Sequence, residues 1–103
     1  MHAISPCQGV TLAVTTTTGS IALGSESENV AVYNQGTNKV FVKLGTSAVT
    51  AAVPTGTASA AAGFPVASGQ TIVFSRGAAT HIAGIAAATE SGTIWAFGVN
   101  GKL

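Results

Sequence analysis

Charge is what this chain has least of. Seven residues carry one (Lys39, Lys43, Arg76, Lys102, Glu26, Glu28 and Glu90), or 7% of the sequence, where ordinary soluble domains carry about 25%. There is no aspartate, and there is one cysteine, one tryptophan and one tyrosine. Each shortage excludes something. A net charge of +1 with no basic cluster argues against nucleic acid as a partner, because phosphate binding takes several Lys or Arg on one face. Cys7 is alone and cannot close an intrachain disulfide, so the chain is no disulfide scaffold and cytoplasmic synthesis is expected. No apolar run approaches the ~20 residues of a membrane helix. No positive charge precedes an apolar stretch at the N-terminus, so neither a membrane anchor nor a signal peptide is expected.

The same shortages remove most routes to catalysis. Without aspartate the usual orienting member of a catalytic triad is missing, and no glycine-rich motif ends in the lysine that phosphate binding needs. A metal centre takes three or four ligands with paired spacing, and His2, His81, Cys7 and the three glutamates offer no such pair. Glu26 and Glu28 sit two apart beside Ser25 and Ser27. That setting reads as a solvated loop, not as two carboxylates facing each other across a sugar. His81 lies among Ile82, Ala83 and Ile85 and reads as structural. Trp95, in an apolar strand, reads as core before sugar platform. The expectation is no enzyme, no cofactor and no metal.

What the chain does have is strand texture. Residues 29–45 hold two runs, Val30-Ala31-Val32-Tyr33 and Val40-Phe41-Val42-Lys43-Leu44, around Asn34-Gln35-Gly36-Thr37-Asn38. Alternating apolar runs about a loop of turn residues predict a β-hairpin. Its aliphatic face (Val30, Val32, Val40, Val42, Leu44) is set for the core, and Tyr33, Lys39, Phe41 and Lys43 for solvent or a partner. Residues 1–9 read as an N-terminal arm broken by Pro6 and Gly9. Further strands are predicted over 10–14 (with 15–20 as an extension), 21–23, 48–53, 70–75, 80–87 and 93–99. Phe64-Pro65-Val66 re-enters the fold after the uncharged loop 54–63, which is long enough to suggest an interaction role. About eight strands at spacings near ten, with no amphipathic helix, predict one all-β domain over 10–103. The expected form is a two-sheet β-sandwich, jelly-roll-like. Its expected core is Val32, Val40, Val42, Leu44, Ile72, Phe74, Ile85 and either Ile94 or Trp95.

Two groups of motifs carry a resemblance. One is Val30-Ala31-Val32-Tyr33-Asn34-Gln35-Gly36-Thr37 with Val40-Phe41-Val42-Lys43-Leu44-Gly45. The other is Gly69-Gln70-Thr71-Ile72-Val73-Phe74 with Thr80-His81-Ile82-Ala83-Gly84-Ile85 and Ser91-Gly92-Thr93-Ile94-Trp95. Together, over 29–99, they resemble small all-β virion proteins of tailed bacteriophages. The resemblance implies a structural role, foremost a decoration or cement protein on the outer surface of the major capsid protein shell. It also implies a homo-oligomer, a trimer before a dimer. A tail or head–tail connector component is the alternative within that group, and a carbohydrate-binding module the alternative outside it. The resemblance has no site motif, so it transfers no functional residues. The charge deficit, the arm and the loop make Ile4, Pro6, Pro54, Thr55, Thr57 and Phe64 the candidate partner contacts.

Overall fold

The computed structural model describes residues 4–24, 28–56, 58 and 62–101. Eight strands follow in order: β1 (Ile4–Val14), β2 (Gly19–Ala22), β3 (Asn29–Asn34), β4 (Val40–Gly45), β5 (Phe64–Val66), β6 (Thr71–Ser75), β7 (His81–Ala86) and β8 (Gly92–Gly101). They form two antiparallel sheets of four, β1-β8-β3-β6 and β2-β7-β4-β5, hereafter sheet A and sheet B. This is the all-β sandwich expected, and its strand order is that of a jelly roll. The first four strands pair with the last four in reverse, as in one long hairpin rolled into two layers. The core lies between the layers. Val14, Val30, Val32, Ile94 and Ala96 of sheet A meet Val40, Val42, Val66, Ile82 and Ala86 of sheet B. It is built mostly of β-branched side chains, which suit the pleated surface of a strand.

The largest departure from expectation is the segment 29–45. It is not a hairpin. β3 pairs with β6 and β8 in sheet A, while β4 pairs with β5 and β7 in sheet B. The chain reverses as expected but steps across the core as it does so. Asn34 explains the step. Fully buried, it donates from Nδ2 to the carbonyls of Asn38 (2.8 Å) and Val66 (2.9 Å), and its Oδ1 accepts from the Gly36 amide at 3.0 Å. These bonds satisfy a reversal that no ladder closes. Val30 and Val32 then face Val40 and Val42 through the core, where a hairpin would have set them side by side on one face.

Three further expectations are corrected. Residues 4–9 are not a loose arm: Ile4, Ser5 and Pro6 pair with Gly101, Asn100 and Val99 of β8, and Gly9 with Phe97, across a register shift between Pro6 and Gly9. Pro6 sits on an edge strand beside a register shift, a position where sheets tolerate proline. Residues 15–18 do not prolong β1, and β2 begins at Gly19. Residues 48–53 form no strand. Ala52 makes a single parallel bridge to Ala62, and the connection between β4 and β5 lies back over the outer face of sheet B. Val49 packs over Gly45 and Gly63 over Phe41, and the Ala51 amide donates to Thr18 Oγ1 at 2.9 Å. Phe41, expected to face outward, is therefore buried.

Core membership shifts accordingly. Val32, Val40, Val42 and Ile94 are buried as expected, and Ile94, not Trp95, is the core member of its pair. Leu44, Ile72 and Phe74 are half-buried against the core, because they lie near the open side of the sandwich. Ile85 is half-buried on the outer face of sheet B, opposite Phe41.

Candidate functional site

The two outer faces of the sandwich differ in kind. Sheet B is partly roofed by the chain's own β4–β5 connection, and Phe41 and Ala83 are buried beneath or beside it. On the outer face of sheet A, strand pairing lines up two rows of side chains across all four strands. Thr11, Trp95, Tyr33 and Thr71 make one row, and Gly9, Phe97, Ala31 and Val73 the next. No residue of either row is charged. Trp95 is 37% exposed and Phe97 39%. The Tyr33 and Trp95 rings are 5.5 Å apart and tilted at 46°, in the range of attractive aromatic pairs. Phe97 lies against Gly9, where a Cβ would overlap its ring. Gly9, Val10, Thr11, Trp95 and Phe97 line a shallow trough of about 260 Å³ there.

Trp95 was expected in the core, and the structure puts it on this face. The physical reason is the thinness of the sandwich. The two layers are filled by valine- and isoleucine-sized chains at a spacing near 10 Å, and β8 turns Ile94 and Ala96 inward. Its alternation then leaves Trp95 and Phe97 outside. The sequence held this signal, since Trp95 and Phe97 alternate with Ile94 and Ala96. It did not say which of two apolar faces would turn in.

The sequence-derived contact candidates do not converge. Ile4 and Pro6 lie on β1 at one edge of sheet A, while Phe64 begins β5 at the opposite edge of the sandwich. Pro54 and Thr55 are exposed in the β4–β5 connection, and Thr57 lies outside the described residues. Phe64 is 54% exposed and meets Phe74 edge-on at 5.7 Å, so the two rings close the open side between the layers. A cleft of about 420 Å³ lies beside them, lined also by Val42, Lys43 and Leu44.

The residues weighed for chemistry are scattered. His81 is half-buried at the start of β7, its Nδ1 2.8 Å from Thr80 Oγ1. Glu28 is exposed and Glu90 half-buried, while His2 and Glu26 lie outside the described residues. Among the described residues no three His, Cys, Asp or Glu side chains gather as a metal site would require. No helix among them is long and apolar enough to cross a membrane. Comparison with protein-family models, curated proteins and solved structures returned no match.

Proposed function

We propose that this chain is a non-enzymatic structural component of a tailed-phage virion, of the decoration or cement type. It would bind the outer surface of the major capsid shell as a homo-oligomer. A single observation carries the docking part of this reading: the outer face of sheet A is uncharged and aromatic, and no segment among the described residues covers it. The cores of protein interfaces are depleted in charge and enriched in aromatic residues, and an exposed apolar patch of this kind marks an interaction surface. The virion part rests on the strand-texture resemblance and on the charge deficit, which suits a surface held against other subunits.

Exposure of the Trp95 indole favours a second reading, a module that stacks sugars. Thr11, Tyr33 and Thr71 would supply hydroxyls to it. No carboxylate, amide or guanidinium lies in the two rows to fix a sugar's orientation, which is why protein docking stands first.

The test is quantitative mass spectrometry of purified particles, with wild type and with a Trp95→Ser/Phe97→Ser variant. Decoration predicts a copy number in proportion to the capsid subunits. The double variant should show wild-type melting but occupancy reduced by about tenfold, as expected for loss of a central aromatic anchor worth over 1 kcal/mol. A handful of copies per particle would move the protein to the tail or connector, and absence from particles would overturn the virion reading. Trp95 is the one indole, so a glycan-induced shift of its fluorescence would establish the sugar reading instead.

A further inference from the structure

A sheet edge presents unpaired backbone donors and acceptors, and natural proteins blunt such edges with bulges, prolines, charges or brevity. Three of the four edges here are blunted. β1 carries a register shift between Pro6 and Gly9. β2 has four residues. β5 has three, the middle one Pro65, which has no N–H to offer. β6 (Thr71–Ser75) is different. Among the described residues it pairs on one side only, with β3, and it reads Thr-Ile-Val-Phe-Ser, with no proline, glycine or charge. The adjoining cation, Arg76, is turned inward. It is buried, with Nε donating to the Ala79 carbonyl at 2.8 Å and Nη2 to the Gly24 carbonyl at 3.3 Å.

We infer that β6 is the seam of a two-fold dimer, in which β6 of one copy pairs antiparallel with β6 of a second. The strand is self-complementary in polarity about Val73. An antiparallel two-fold sets Thr71 against Ser75, Ile72 against Phe74, and Val73 against its own copy. Hydroxyl meets hydroxyl, apolar meets apolar, and no like charges are opposed. The same side of the sandwich carries the Phe64–Phe74 pair and the 420 Å³ cleft. Phe64 is the most exposed of the large apolar side chains among the described residues, so the seam lies beside apolar surface in need of cover. The dimer joins two copies of sheet A into one continuous sheet. Its axis stands perpendicular to that sheet, so both Trp95/Phe97 faces point the same way and act as a bivalent docking surface. A trimer, the expectation from sequence, cannot be closed by a strand that opposes itself.

The inference stands apart from the virion reading. A dimer found on no particle would keep it and overturn that reading. The experiment is sedimentation of the full chain over a range of concentrations, with two substitutions. Val73 is half-buried on the outer face, so Val73→Lys leaves each copy foldable while opposing two ammonium groups across the seam. It should weaken the dimer at least about tenfold. In a Cys7→Ser background, Val73→Cys should give a covalent dimer on mild oxidation, and Thr11→Cys, on the far edge strand, should not. A wild-type chain that is monomeric at all concentrations, or trimeric, overturns the inference. So does a dimer that Val73→Lys leaves intact, or oxidation that links Thr11→Cys as readily as Val73→Cys. A strand from another protein on β6 would show as a monomeric wild type.

Discussion

Asn34 is the residue on which the architecture turns. A buried amide is tolerated when its donors and acceptor are all matched, and here both Nδ2 bonds and the Oδ1 bond join three separate points of the chain, at Gly36, Asn38 and Val66. Its backbone adds two more, donating to the Gln70 carbonyl (3.1 Å) and accepting from Gly69 (2.9 Å). Asn34→Ala would leave the Val66 and Asn38 carbonyls without that donor in a buried site. The expected loss is about 2–6 kcal/mol, from one to three for each of the two unmet acceptors, measured by urea denaturation. Asn34→Asp should be no better, because it turns an acceptor toward two carbonyls. A variant within about 0.5 kcal/mol of wild type, the range of ordinary surface substitutions, would mean that the arch does not depend on this side chain.

At the scale of elements, the β4–β5 connection explains why one sheet face is closed and the other open. It is the one link between consecutive strands that stays within a sheet, and so forms the tip of the rolled hairpin. Gly63 fastens its returning end. The Gly63 amide donates to the Ala52 carbonyl at 2.8 Å, and a Cβ at Gly63 would lie 2.7 Å from Phe41 Cβ and 2.9 Å from the Phe41 carbonyl carbon. Backbone atoms of a central strand do not move aside cheaply. Gly63→Ala is therefore expected to lift the connection from sheet B, at a cost of about 1–3 kcal/mol as for other overpacked sites. Limited proteolysis should cut the connection faster than in wild type. Unchanged melting and unchanged cleavage would show that the roof is not seated as described.

At the scale of the whole molecule, the jelly roll makes most pairings distant in sequence. β1 meets β8 and β2 meets β7, so loop closure must be completed before those ladders reward it. Chains dominated by such contacts fold slowly. Refolding from urea is expected to take on the order of milliseconds to seconds, as followed by Trp95 fluorescence. A full-amplitude microsecond phase would contradict the topology. The radius of gyration of 12.9 Å is that of a compact domain of this length, which small-angle scattering can compare with the larger value of an edge-joined dimer.

Much of this was legible in the residues themselves. Alternation set by the two-residue period of a strand identified seven of the eight strands, all but β5, and turn residues placed the reversals. The scarcity of charge was legible there too, and with it the uncharged rows on the outer face of sheet A. Alternation is blind to partners, however. It showed that Val30, Val32, Val40 and Val42 would be buried, but burial beside one another and burial across a core leave the same pattern, and only the packing of the two layers separated a hairpin from an arch. For the same reason β8, apolar on both faces, could not declare which side was inner. The thin gap between the sheets accepts Ile94 and Ala96 and leaves Trp95 and Phe97 outside, and that choice, made in three dimensions, creates the exposed aromatic face of sheet A.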